Sequence, residues 1–202
     1  MKKKREEAII HRPVVWVTGA SRGIGREIAR QFAFLGCDVC LSARNKKDLN
    51  STVKEIIKLG GRAYSFPLDI TQTKSVKTVH RQIQKKIGVV DILINNAGIT
   101  SFKPFIDTPL KDFEKIISTN LIGQIACTKE VIPSMVKRKG GWIFNIISMA
   151  AKKTFVNSTA YTASKAGMEG FGRVLREELK QYNIKVVNVF PGATSTGIWN
   201  PK

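Results

Sequence analysis

The chain has 202 residues, 34 lysines and arginines against 15 acids, and a formal charge of +19. That length suits one domain with its own core and falls short of two. No run approaches the 18 apolar residues of a membrane span, so a soluble protein without one is expected.

Residues 1–12, "MKKKREEAIIHR", offer only "AII" as an apolar run, far less than a signal peptide needs, and read as a basic arm before a domain over 13–202. The first strand is "PVVWVT" (13–18), running into "TGASRGIG" (18–25). In this turn Gly19 permits the tight bend, Gly23 lets backbone approach a pyrophosphate, and Gly25 lets the next helix lie against the sheet. The free N–H groups of that helix then face the anion. Its predicted apolar stripe is Ile24, Ile28, Phe32 and Leu35.

The second strand, "DVCLSA" (38–43), follows Cys37 and contains Cys40. Residues three apart on a strand point to opposite faces, so this C-x-x-C predicts buried single thiols rather than a disulfide or metal site. Few unpaired cysteines fit a reducing, cytoplasmic setting. At the strand's end Ala43 stands where an NAD site usually carries an acid, and Arg44 follows. With Arg22 nearby, the two cations point to NADP(H) in preference to NAD(H).

Further stripes are Leu49, Val53, Ile56 and Ile57, stopping at Gly60, and Val76, Val79, Ile83 and Ile87. The strands "RAYSFPL" (62–68), "VDILINN" (90–96), "GWIFNIIS" (141–148) and "IKVVNVF" (184–190) complete a set of six. Two longer helices are predicted over 110–139, bent or interrupted by Pro133, and over 159–182. In the second, Ala163, Ala166, Gly167 and Gly170 are small enough to admit another backbone. The alternation predicts a single-domain α/β fold, a doubly wound Rossmann-type parallel sheet with helices on both faces and ligands at the carboxyl ends of the strands. The basic residues lie in scattered helical segments such as "NKKDL" and "MVKRK", and only "KKKR" at 2–5 clusters, without aromatic residues between; nucleic acid is not expected as a partner.

"YTASK" opens the last helix. Tyr161 and Lys165 are four apart, so they share a face and sense each other's charge. With "TGASRGIG", "NNAG" (95–98), Asn120 in "STNLIG", Ser148 thirteen residues before Tyr161, and "PGATST" (191–196), the chain resembles the classical short-chain dehydrogenase/reductases from Pro13 to Thr196. The resemblance implies hydride transfer between a nicotinamide and a carbonyl or alcohol carbon. It makes Tyr161 the general acid or base, Lys165 its electrostatic partner and a ribose ligand, Ser148 a donor to the substrate oxygen, and Asn120 the holder of a relay water. It assigns cofactor contacts to Gly19, Ser21, Arg22, Gly23, Ile24, Gly25, Arg44, Asp69, Ile70, Asn96, Ala97, Thr194 and Thr196, as well as to Tyr161 and Lys165. A free phenol near pKa 10 transfers protons poorly at neutral pH, and the Lys165 ammonium is expected to lower it. No metal is implied, and a homodimer through the two long helices is.

Family members continue past "PG" into a substrate loop, a helix and a seventh strand, whereas this chain ends at "GIWNPK". A shortened chain or an unusually open pocket is therefore expected, with the sixth strand as a sheet edge. Two other functions fit the same residues. One is a 3-oxoacyl thioester reductase whose basic surface attracts an acidic carrier, and the other a weakly active NADP(H)-binding sensor or interaction subunit. Lys152 and Lys153 are expected to be solvated.

Overall fold

Six short runs, most of them rich in Val or Ile, form strands in a computed structural model that describes residues 12–192 and 194. They are β1 (Val14–Thr18), β2 (Asp38–Ser42), β3 (Arg62–Ser65), β4 (Ile92–Asn95), β5 (Gly141–Ile146) and β6 (Ile184–Val189). All pair in parallel, in the order β3-β2-β1-β4-β5-β6. The order reverses between β1 and β4, which opens a crevice at their carboxyl ends. β3 is shorter than its sequence suggests, because Pro67 brings no N–H to a ladder. The N–H groups of Phe66 and Leu68 still donate to Leu41 and Ala43.

Alternation along each strand divides the core into two layers. Val15, Val17, Val39 and Leu41 face α1 (Gly23–Phe34) and α2 (Lys46–Lys58). Val14, Trp16, Cys40, Leu93 and Ile143 face α3 (Thr73–Lys86), α5 (Gly123–Arg138) and α6 (Thr159–Lys180). Cys37 and Cys40 thus belong to opposite layers, and both are buried free thiols, as is Cys127. Among the described residues no helix is long and apolar enough to cross a membrane.

Three details differ from the sequence expectation. The face that α1 turns to the sheet is Gly25, Ala29 and Ala33, with Ile24, Ile28 and Phe32 flanking it and Leu35 exposed. The helix approaches too closely for large side chains: a Cβ on Gly25 would lie 2.5 Å from the Gly19 carbonyl oxygen. Secondly, α4 (Leu110–Ile117) passes into α5 through a π turn at Ser118–Ile122, while Pro133 sits inside an α5 that continues to Arg138. Finally, the close approach of α6 to strands is made by Gly172, whereas Ala163 and Ala166 are exposed and Gly170 has no neighbour.

His80 on α3 is buried against Trp16, the ring centroids 6.0 Å apart. Its Nδ1 lies 3.8 Å from Glu130 Oε2, and its Nε2 is buried without a hydrogen-bond partner. Burial pushes the imidazole below its ordinary value, against the smaller pull of Glu130. A depressed folded value means that the unfolded chain binds the proton first. The contribution of His80 to stability is therefore present above about pH 6.5 and lost as pH falls below it. Thermal melts of His80→Gln should lose part of the wild-type decline between about pH 6.5 and 5. An unchanged decline would show that His80 is not responsible.

Candidate active site

The carboxyl end of β1 is fixed by Thr18. Its Oγ1 donates to the Ile94 carbonyl and accepts the N–H groups of Asn96 and Ala97, at 3.0–3.1 Å. Asn96 returns the tie, its Nδ2 donating to the carbonyls of Thr18 and Gly19 at 2.9 and 3.1 Å. The glycine-rich turn is thereby clamped to the end of β4. Gly19 adopts φ +66°, and a Cβ there would lie 2.7 Å from the Ala97 Cα, so only glycine fits.

Two helix N-termini border this point and are treated differently. Asn45 caps α2, its Oδ1 accepting from the N–H groups of Lys47 and Asp48. Arg22 stands at the same position before α1 and supplies no side-chain cap, leaving first-turn N–H groups open to an anion. Between these ends lies a cavity of about 660 Å³. It is lined by Gly19, Ser21, Arg22, Gly23 and Ile24 of the turn, by Arg44 after β2, by Asp69 and Ile70 after β3, and by Asn96 and Ala97 after β4.

Arg22 and Arg44 are both exposed, and neither forms an ion pair among the described residues. Asp69 Oδ1 accepts from the N–H and hydroxyl of Thr71. Gly25 stands behind the turn rather than in the cavity wall, where a Cβ would collide with Asn96 Nδ2. Thr194 also lies outside the wall and donates to the Gly192 carbonyl, while Thr196 falls outside the described residues.

Gly98 and Ile99 continue the cavity toward a second cluster. A Cβ on Gly98 would stand 3.4 Å from Asn120 Oδ1 and 3.8 Å from Lys165 Nζ. Asn120 is fully buried in the π turn; it accepts from the Ile99 N–H at 2.8 Å and donates to the Ile99 carbonyl at 2.9 Å and to Ser164 Oγ at 3.0 Å. Ser148 follows β5 and caps the short 3-10 turn Met149–Ala151 through the Ala150 N–H. Tyr161 and Lys165 are buried one above the other on α6, with Nζ 5.8 Å from the phenol ring centroid.

Lys165 donates to the Ile146 carbonyl at 2.8 Å. Burial brings its ammonium down to about 8. The Tyr161 phenol is raised by burial, and a hydrogen bond with Ser148 opposes the rise. Burial is thus the largest influence on the phenol, and the hydrogen bond that Lys165 makes goes to the Ile146 carbonyl. Lys152 and Lys153 are exposed, as expected, and Lys152 also pairs with Glu169 and stands 5.4 Å from the Phe190 ring centroid.

Asn45 escaped the sequence reading, while Thr18, Gly98 and Ser164 lay inside its motifs without an assigned role. Asn45 carried a signal, an Asn directly before a helix. The others act through contacts distant in sequence.

The family model described as short chain dehydrogenase matches residues 13–202. The chain belongs to the short chain dehydrogenase family. A mouse relative, dehydrogenase/reductase SDR family member 7, is 37% identical over 190 residues, covering 92% of this chain and 56% of its own. The 7alpha-hydroxysteroid dehydrogenase of Escherichia coli K12 is 39% identical over 180 residues, covering 89% of this chain and 70% of that one. Among solved structures, a variant of the actinorhodin polyketide ketoreductase with NADPH superposes with a TM-score of 0.90 at 34% identity, covering 92% of this chain and 72% of the other. This short chain dehydrogenase thus spans little more than half the length of the mouse relative. Its single-domain parallel α/β fold matches that of the solved relative.

Proposed function

We propose that this short chain dehydrogenase is an NADP(H)-dependent oxidoreductase acting on a carbonyl or secondary alcohol, with Tyr161 as general acid and base. The observation that carries the reading is that Asn120 and Lys165 stand beside Gly98 of the cavity wall, with Tyr161 next to Lys165 and hydrogen-bonded to Ser148.

The residues present fit a nicotinamide dinucleotide. The open N-terminus of α1 suits its pyrophosphate, Asp69 its adenine side, and exposed Arg22 and Arg44 a 2′-phosphate. When bound, the cofactor supplies the hydride in reduction and accepts it in oxidation. Tyr161 gives its phenolic proton to the carbonyl oxygen in reduction and withdraws it from the alcohol in oxidation. Ser148 donates a hydrogen bond to the same oxygen, and Lys165 offsets negative charge on the phenol oxygen. The two long helices are the faces of an expected homodimer, with Ile122 and Val174 as exposed apolar residues on them.

The test is NADPH oxidation measured over a panel of ketones, beside Tyr161→Phe. Turnover by the wild type and its loss in the variant are expected; undiminished turnover in Tyr161→Phe overturns the mechanism.

A further inference from the structure

Asn95, Asn145 and Asn188 occupy matching register positions on β4, β5 and β6. The first two are 1% and 0% exposed. Their carboxamides form a chain with one direction. Asn95 Nδ2 donates to Thr128 Oγ1 at 2.9 Å and to Asn145 Oδ1 at 3.0 Å. Asn145 Nδ2 donates to Asn188 Oδ1 at 3.0 Å, and Asn188 Nδ2 donates to the backbone carbonyl of Glu169 on α6 at 3.1 Å.

Burying two carboxamides and half-burying a third is costly unless they are bonded, and leucines of similar volume would pack there without that cost. The reason for amides lies in the helix they meet. Lys165, Glu169 and Gly172 stand at i, i+4 and i+7, on one face of α6. Glu169 sends its carboxylate out to Lys152, and Gly172 has no side chain. A Cβ on Gly172 would fall 2.1 Å from Asn188 Oδ1 and 2.6 Å from Asn145 Nδ2. Between the buried Met168 and Leu175, α6 has no knob at Gly172, and apolar contact alone is non-directional. One residue beyond Asn145, the Ile146 carbonyl accepts from Lys165.

We propose that the Asn95–Asn145–Asn188 amide chain sets the seat of α6 on β5 and β6 and so fixes where Tyr161 and Lys165 stand, with Asn145 and Asn188 as positioning residues. The inference rests on the function proposed above for Tyr161 and Lys165, but its test does not need turnover.

The titration of Lys165 is followed in the full chain without cofactor, through the isotopically labelled side-chain carbon next to its Nζ. Wild type should titrate near about 8. Asn188→Leu cuts both the Asn145 bond and the Glu169 bond, letting α6 lift and water reach Lys165. Its midpoint should rise by roughly one pH unit, a tenfold change in proton affinity. Asn188→Ser, which keeps a hydroxyl, should shift less in the same direction and serves if the leucine variant does not fold. Leu179→Ala is the control, a cavity at the far end of α6 that lowers stability without touching the amides.

Catalysis gives a second readout: in Asn188→Leu, kcat should fall roughly tenfold. If neither asparagine variant moves the Lys165 midpoint further than Leu179→Ala does, the chain is only part of the core and the proposal fails. A shifted midpoint in a protein that turns over no ketone supports the positioning and counts against the proposed function instead.

Discussion

Tyr161→Phe and Lys165→Met are both expected to lose carbonyl reduction by about 10²–10⁴-fold, and only the lysine variant should melt at a higher temperature. Lys165 is 4% exposed, donates to one carbonyl and has no carboxylate partner among the described residues. Its displacement from 10.5 to about 8 corresponds, at about 1.4 kcal/mol per tenfold, to a cost on the order of 3 kcal/mol for holding the ammonium in the folded chain at neutral pH. Methionine removes that cost and fills the same channel. It also leaves the Ile146 carbonyl unpaired, which returns about 1–3 kcal/mol.

A net gain of about 1 kcal/mol, or roughly 2–4 °C in Tm, should remain at pH 7. The sign with pH is fixed. Because the folded value is depressed, the wild-type penalty is complete below about pH 8 and is relieved as pH rises toward the ordinary 10.5. The advantage of Lys165→Met should shrink over that window. A variant that melts lower than wild type at pH 7 would mean that Lys165 has a compensating partner.

Alanine at Arg22 and Arg44 together should weaken NADPH binding by about a hundredfold and leave NADH nearly unaffected. Each guanidinium is exposed and free of ion pairs among the described residues. Each can therefore give a phosphate one charge-assisted contact of about 1.5 kcal/mol, at the low end because water competes. That is about tenfold per arginine, and the effects multiply if the two contacts are independent. Fluorescence titration of both cofactors against wild type and the double variant reads the difference. Equal weakening of NADPH and NADH would show that the arginines support the turn rather than recognise the extra phosphate.

The six strands and the position of the cavity were legible because a parallel sheet buried on both faces writes itself as Val- and Ile-rich runs, and because its ligands gather at strand ends. Periodicity misled at α1. A helix forced against the Gly19 backbone and the Asn96 side chain must turn Gly25, Ala29 and Ala33 inward, and these carry a weaker apolar signal than the Ile24, Ile28 and Phe32 beside them. The interruption before α5 was assigned to Pro133 because proline has a local signature, whereas the π turn around Asn120 depends on its bonds to Ile99 and Ser164. The burial of Tyr161 was not legible for a related reason. Sequence gives the spacing to Lys165, but not the depth of burial that raises the phenol.

The stack of Trp16 on His80 gives this chain a built-in optical gauge. An indole shut away from water, its Nε1 donating to Ser42 Oγ at 2.9 Å, should fluoresce toward the blue, apart from the half-exposed Trp142. Protonation of the adjoining imidazole brings a charge against the ring and should dim that emission. The brightness of one residue in β1 would then record, without any added label, whether α3 still holds its buried histidine neutral.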